Sequence, residues 1–190
     1  PHTLLIPAVD LDRAERVVFG VGETAEIPIS QAIAASSAIP GFFEPYTIGE
    51  RDFVDGGVGY TGHADLAVAR GAEAVVVVNP VVPLTASDGA RGALKSRGLY
   101  TIMEQASRIT SQHLLELGLR DLQQSHPKVE FFLCQPEARE SPLFGPSMGF
   151  DSSRAALRFG YLSTKEWLQT KGAVFVRRFS ARAAAQRAAS

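Results

Sequence analysis

The stretch that decides the fold is Arg51-Asp52-Phe53-Val54-Asp55-Gly56-Gly57, where a short apolar strand ends in a carboxylate that two glycines follow at once. Backbone without side chains next to Asp55 leaves room for a substrate and for a second reacting group to come close. The same residues also fit a purely structural role. Asp-Gly is a common hairpin turn signal, so Asp55-Gly56 can simply join residues 52–54 to a return strand at residues 58–60.

The segment after the glycines favours the functional interpretation, because it indicates a β-α-β unit. His63–Ala69 is a predicted helix, and Ala74–Val78 is an unbroken β-branched run, typical of a strand covered on both faces. Strand, helix and strand in this order predict that residues 52–54 and Ala74–Val78 lie in one parallel sheet with a right-handed crossover. Ligands bind at the carboxyl ends of the strands of such sheets, and Asp55 stands at that edge.

The remaining elements follow from hydrophobic periodicity and from helix start and stop signals. We expect a hairpin of Thr3–Val9 with Arg16–Phe19, a helix over Gln31–Ala38 capped by Ser30, a helix from Leu99 to about Ser125, a strand at Val129–Cys134, and a helix capped by Asp151 or Ser152 that runs to about Lys171. Residues 1–172 are predicted to be the C-terminal portion of a single domain. Residues 173–190 are predicted to be a strand and a basic tail.

Composition narrows the function classes. The chain has 190 residues, 45% of them apolar, with a net charge of −1, so it can bury a core but carries no basic field to attract nucleic acid. The sequence contains no cluster of histidines and cysteines that would suggest a metal site. The single Cys134 lies inside an apolar run, which predicts a buried, inert thiol and fits a reducing, cytoplasmic location. No run reaches the ~18 apolar residues of a membrane span, so any membrane contact is expected to be peripheral, through the basic tail.

Three stretches together, in order and in spacing, carry a family resemblance. Ala34–Pro45, Phe53–Val58 and Gly71–Pro80 resemble the patatin-like phospholipase family of bacterial type, and the likeness covers residues 3 to about 80 closely. The resemblance implies a three-layer α/β/α sandwich with a mainly parallel central sheet. This chain would be its C-terminal portion, incomplete on the N-terminal side.

The resemblance also implies a chemistry. Members are acyl hydrolases with a Ser-Asp dyad, whose aspartate in the D-G-G motif falls here on Asp55, with Gly56 and Gly57 as substrate-binding positions. The aspartate acts as general base on the serine, and backbone N–H groups of a glycine-rich loop hold the oxyanion. Both the serine and that loop belong to an upstream segment absent from this chain, which is therefore an expected partner. We expect a lipid ester substrate, no metal or organic cofactor, and no activity of this chain alone.

Two alternatives stay open. A G-x-S-x-G pattern occurs at residues 145–149, but no strand precedes it, Pro146 fixes φ just before Ser147, and it follows the aspartate instead of preceding it. We interpret it as a chance match in a loop. The first alternative keeps it, as a self-contained Ser147-His63-Asp55 hydrolase. The second is a non-catalytic α/β scaffold that binds a partner or a membrane surface.

The long polar connection from Asn79 to Gly98 is a candidate lid, because loops of that length inside a compact domain are usually functional or disordered. Apolar strands near the start of the chain would be edge or core strands of a sheet begun upstream. We therefore expect the chain on its own to expose apolar surface.

Overall fold

A computed structural model describes residues 3–85, 94–137 and 153–188, with side chains up to residue 181. The chain divides into two compact units, residues 1–63 and residues 64–190. Each unit is described by itself.

The elements follow one another as strands and helices in mixed order. They are β1 (Ile6–Asp10), β2 (Glu15–Phe19), α1 (Ile29–Ser36), β3 (Tyr46–Ile48), β4 (Arg51–Asp55), α2 (Ala64–Val68), β5 (Ala74–Val78), α3 (Leu99–Ser125), β6 (Glu130–Cys134), α4 (Ser153–Gln169) and α5 (Ala173–Ala188), with short 3₁₀ turns at Gly22–Thr24 and Lys95–Arg97.

The first unit is a four-stranded antiparallel sheet in the order β2-β1-β4-β3, packed against α1. The predicted β1–β2 hairpin is confirmed, with Ile6 opposite Phe19 and Asp10 opposite Glu15. The core places Ala32 and Ala35 of α1 against aromatic and small residues of the sheet. Alanines on the buried face let the helix approach the strands closely, which positions the end of α1 beside the end of β4.

Helix α1 begins one residue before Ser30, so the predicted Ser30 cap is wrong. Pro28 takes the cap position with φ −55°, and its carbonyl accepts the N–H groups of Gln31 and Ala32. Proline is suited to a helix start because its fixed φ lies in the helical range. The helix ends at Ser36, two residues earlier than expected.

The predicted β-α-β unit is also wrong. Strand β4 is paired antiparallel on both edges, with β1 on one side and β3 on the other, so no edge remains for β5. The partner that the sequence interpretation missed is β3, which reaches β4 through the two-residue loop Gly49-Glu50. The mixed α/β class is confirmed, but the larger described sheet is antiparallel rather than mainly parallel. The three-layer sandwich stays a prediction.

The second unit contains the parallel pairing. Strands β5 and β6 run side by side, from Ala74 opposite Glu130 to Val78 opposite Cys134. One face of this pair packs on α2 and α3, where Val75 and Val77 meet Leu115 and Leu119. Beside β6, the indole N–H of Trp167 on α4 donates to the Leu133 carbonyl at 2.8 Å, and Phe175 on α5 packs edge-on against Phe132.

Cover on the other face of β5 is incomplete. Val76 and Val78 alternate with the buried valines and are 38% and 67% exposed. The prediction that this strand is covered on both faces is therefore wrong for the described chain.

Three of the four helices of the second unit agree with the sequence, α2 within one residue of its predicted bounds, and the fourth corrects it. Helix α3 has the predicted bounds, and α4 covers most of its predicted range, although its expected caps lie outside the described residues. Residues 173–188 form helix α5 instead of the predicted strand and tail.

Candidate active site

Asp55 is the last residue of β4, and its backbone is fixed against the exit of α1. The Asp55 N–H donates to the Ala38 carbonyl at 3.0 Å, and the Gly56 N–H donates to the Ser36 carbonyl at 3.3 Å. Strand pairing with β1 sets Asp55 opposite Ala8, a fully buried member of the core that packs on α1. The position of this carboxylate is thus set by one helix end and one neighbouring strand.

The residues after Asp55 form a tight turn that also orients its side chain. The Asp55 carbonyl accepts the N–H of Val58 at 3.0 Å, and its Oδ1 accepts the N–H of Gly57 at 2.7 Å. Within the part of the chain that the structure describes, this is the only hydrogen bond of the Asp55 carboxylate. Residues 58–60 form no strand, so the hairpin interpretation of Asp55-Gly56 is wrong.

Both glycines lie in close contact with neighbouring atoms. A Cβ on Gly56 would overlap the carbonyl oxygen of Pro7, because β1 passes directly beside the turn. A Cβ on Gly57 would lie 2.9 Å from Asp55 Oδ1. Gly56 therefore allows the turn to lie directly beside β1, and Gly57 allows the Asp55 carboxylate to lie close to the backbone of the turn. Their predicted contact with substrate stays a prediction.

His63 lies close to Arg16 and Tyr60. Its Nδ1 is 3.4 Å from Arg16 Nη1, and its ring stacks on Tyr60 with centroids 6.3 Å apart. A guanidinium only donates, so Nδ1 can take part in this contact only as the acceptor. A triad histidine needs the opposite arrangement, with Nδ1–H donating to the aspartate.

Strand register also separates His63 from the Asp55 carboxylate. Arg16 is opposite Val9, whose other neighbour is Val54, whereas Asp55 is opposite Ala8. Successive residues of a strand point to opposite faces, so the side chains of Arg16 and Asp55 leave opposite faces of the sheet. The structure does not bring His63 and Asp55 together, and Ser147 lies outside the described residues.

A buried ion pair that sequence reasoning missed stabilises the strands behind the turn. Asp10 is 2% exposed, and its Oδ2 accepts Arg51 Nε at 2.6 Å while its Oδ1 accepts the N–H of Arg13 at 3.0 Å. Burial alone would raise the pKa of Asp10, but the hydrogen bonds and charges of Arg13 and Arg51 outweigh it and hold this pKa below its ordinary value. The pair joins the β1–β2 turn to β4.

Cys134 is buried, as predicted. Burial raises the pKa of its thiol, and a hydrogen bond with Thr164 opposes that rise only in part. A thiol held in its protonated form is a poor nucleophile, which fits the predicted inert role.

The first part of the predicted lid is fixed to α3. Gln105 pairs with both backbone groups of Leu84, accepting its N–H at 3.0 Å and donating to its carbonyl at 2.8 Å. Buried Arg108 donates to the Val82 carbonyl at 3.2 Å. Residues 79–84 are therefore docked on the helix, while residues 86–93 lie outside the described chain.

The described ranges, 3–85, 94–137 and 153–188, contain no group of three histidine, cysteine or acidic side chains that could hold a metal ion. Among the helices of the same ranges, none is both long and apolar enough to cross a membrane.

Comparison with known families gives a match over the segment that carries Asp55. Residues 2–68 match the family described as patatin-like phospholipase. This segment is therefore similar to patatin-like phospholipases. The patatin-like match spans the whole antiparallel sheet, α1, the Asp-Gly-Gly turn and α2, and leaves residues 69–190 outside it. A search of curated proteins found no match.

Proposed function

We propose that this chain is part of a lipid acyl hydrolase and that Asp55 is the general base of a Ser-Asp dyad whose serine comes from an upstream segment. The observation that carries the proposal is the Asp55 turn itself, which lies inside the patatin-like segment and presents a carboxylate with one oxygen already held. Gly57 N–H occupies Oδ1, so Oδ2 is the oxygen assigned to the incoming serine hydroxyl.

The first half of the reaction forms an acyl-enzyme. Asp55 accepts the serine proton while the serine oxygen bonds to the ester carbonyl carbon, and backbone N–H groups of the upstream glycine-rich loop stabilise the oxyanion. The intermediate collapses, the ester C–O bond breaks, and the proton on Asp55 passes to the leaving alcohol.

The second half releases the acid. Water loses a proton to Asp55 and attacks the acyl carbon, and the serine oxygen leaves with the proton returned by Asp55. Every group required is a protein side chain, a backbone N–H or water, so the proposed reaction uses no metal or organic cofactor.

The test uses the intact protein with its upstream segment and compares two aspartates on one strand. Asp55→Asn removes the base, and we expect ester hydrolysis to fall by roughly 10²–10⁴-fold, the usual contribution of general base catalysis. Asp52→Asn is the matched control. Asp52 accepts an exposed hydrogen bond from the Thr47 hydroxyl, so its loss is expected to leave kcat within about twofold. Unchanged activity of Asp55→Asn would exclude Asp55 from the chemistry and favour the scaffold alternative.

A serine-directed fluorophosphonate probe separates the proposal from the self-contained triad. We expect the 190-residue chain to remain unlabelled and the intact protein to be labelled on an upstream serine. Labelling at Ser147 would contradict the proposal.

Peripheral membrane contact is part of the same proposal, because lipid esters are presented at bilayer surfaces. Helix α5 exposes Arg177 and Arg178, and no acidic residue follows Glu166 in the chain. We expect co-sedimentation with anionic vesicles that neutral vesicles do not give, and equal binding to both would remove the basic helix from the interaction.

A further inference from the structure

Helix α3 carries a second apolar face in addition to the one that packs on the β5–β6 pair. The residues it buries are Arg108, Leu115 and Leu119. The outer stripe, as we call the other face, consists of Leu99, Ile102, Met103, Ala106, Ile109 and Leu117. All six of these residues are exposed, the five larger ones by 43–69%.

The two faces lie on opposite sides of the helix. At about 100° per residue, the outer stripe is centred roughly 160° from the buried residues. Contact with the β5–β6 pair therefore cannot bury it. His113 is also exposed and falls on this side. The members from Leu99 to Ile109 recur at helical spacing, and Leu117 lies about two turns further on. The stripe is therefore about 27 Å long, an arrangement suited to binding another helix.

Charges at the two ends of the stripe differ in sign. Lys95 and Arg97 precede the helix, and no acidic residue lies between Leu94 and Met103. Glu116 and Asp121 flank the other end, with Arg120 as the one basic residue there. The ends thus carry formal charges of about +2 and −1, so a parallel pair of copies would place like charges together and an antiparallel pair would place opposite charges together. The acidic end is also poorly suited to an anionic lipid surface.

We propose that the outer stripe is a homodimer interface, in which the α3 helices of two copies pair antiparallel about a two-fold axis. Such an interface is self-complementary, so a residue and its partner exchange roles across the axis. With the axis near residue 108, Leu99 faces Leu117 of the second copy, and Ala106 faces Thr110. Small side chains at the centre allow the two helices to approach closely where they cross.

The contact is modest in size. A single helix pair of this length buries less than the ~800 Å² per partner of a standard interface, so we expect a dissociation constant on the order of micromolar to tens of micromolar.

Sedimentation velocity across a concentration series is the primary test. The 190-residue chain is expected to shift from its monomer mass of 20.4 kDa toward twice that value. Met103→Glu places a charge in the stripe and is expected to weaken the dimer at least tenfold. Leu157→Glu is the matched control, since Leu157 on α4 is 76% exposed but lies outside the stripe, and it is expected to leave the dimer unchanged.

Charge reversal tests the antiparallel arrangement. Lys95→Glu alone and Asp121→Lys alone each bring like charges together and are expected to weaken dimerisation, while the double variant restores it. A chain that is monomeric throughout the series overturns the proposal. A dimer that Met103→Glu does not weaken also overturns the proposal. The same holds if substitutions in the stripe change only the binding of the chain to vesicles. Far-UV circular dichroism of each variant verifies that the fold is retained.

Discussion

The two glycines after Asp55 lack a side chain for different physical reasons. Gly56 has backbone in its way, the Pro7 carbonyl of β1, which cannot move without shifting the strand. Gly57 has only the Asp55 carboxylate in its way, and that group can rotate. A methyl group at position 56 therefore strains the fold, whereas one at position 57 perturbs the orientation of one side chain.

Gly57→Ala is expected to separate activity from stability. The added methyl group displaces Asp55 Oδ1 from its hydrogen bond, so activity of the intact protein is expected to fall roughly tenfold or more through misorientation of the base. The melting temperature changes little. Gly56→Ala is the contrasting variant, with a loss of roughly 1–3 kcal/mol of stability from overpacking. If both variants lost the same stability and Gly57→Ala kept full activity, the separate roles of Gly56 in stability and Gly57 in activity would be contradicted.

Asp10→Asn tests the buried ion pair through its pH dependence. The pKa of Asp10 is lower in the folded chain than its ordinary value of 3.8, so the folded state binds this proton less tightly than the unfolded state. The stabilisation is complete above pH 3.8 and is lost as the pH falls through the lowered folded value. We expect Asp10→Asn to cost roughly 1–3 kcal/mol at neutral pH.

That cost is expected to shrink in acid, as measured by urea unfolding of both proteins from pH 7 down to pH 3. Asp12→Asn, on the exposed turn beside Asp10, is the control and should change stability little. A cost of Asp10→Asn that is independent of pH would assign its effect to packing instead of charge.

At the scale of elements, the turn between α4 and α5 depends on a glycine placed against an aromatic ring. The Gly172 N–H donates to the Trp167 carbonyl at 2.7 Å, and a Cβ on Gly172 would lie 2.5 Å from ring atoms of the same tryptophan. The indole is 7% exposed and binds β6 through its N–H. This ring therefore connects the α4–α5 turn to the edge of the parallel pair.

Trp167→Phe is expected to destabilise this unit by about 1–3 kcal/mol, because the Leu133 carbonyl loses its donor and the ring loses volume. Chemical unfolding followed by far-UV circular dichroism measures the loss, since Trp167 is the single tryptophan of the chain and fluorescence disappears with it. Tyr161→Phe, on the exposed side of α4, is the control and is expected to be neutral. An equal loss in both variants would exclude the indole hydrogen bond as the cause.

Local signals predicted individual elements well and their pairing poorly. The bounds of α3 and the β1–β2 hairpin could be derived because periodicity and turn residues act within one segment. The partner of β4 was predicted wrongly because strand pairing depends on contacts between segments, which periodicity within one segment does not report. The signal for β3 was present, since Gly49 at the first position of a two-residue loop is typical of a tight hairpin, and its φ is +64°.

The site was predictable to the same extent. Asp55 was found from its motif, and its position at a strand end is confirmed. The Asp10–Arg51 pair was not predicted, because the two residues are 41 positions apart in sequence and meet only through strand register. His63 was considered on residue type alone, and its contact with Arg16 depends on a strand far earlier in the chain.

At the scale of the whole molecule, apolar exposure is distributed over elements of both units. Ile29 and Ile33 on α1 are more than half exposed, as are Val78 on β5 and Leu157 on α4. Exposed apolar surface was expected from the sequence, and the distribution agrees. We propose that an upstream segment, which would complete the domain, covers part of this apolar surface.

Co-expression with the upstream segment tests that proposal at this scale. We expect the two pieces to co-purify and the complex to resist proteolysis better than the 190-residue chain. Intact mass and N-terminal sequencing of the natural protein identify whether the segment is covalently joined. A stable, monomeric 20.4 kDa species that neither binds the segment nor gains stability from it would contradict the proposal.

The hydrogen bond from Trp167 to Leu133 also bears on aggregation. The carbonyl of the neighbouring Cys134 accepts the N–H of Asn79, which directly follows β5, so it points toward β5. Carbonyls of successive strand residues point to opposite sides, so the Leu133 carbonyl points to the outer edge of β6. Open strand edges recruit strands from other molecules, and proteins block them with bulky or charged groups. One indole thus occupies an acceptor that a fibril-forming strand would need. Loss of this ring by mutation is expected to leave that acceptor open to strands of other molecules.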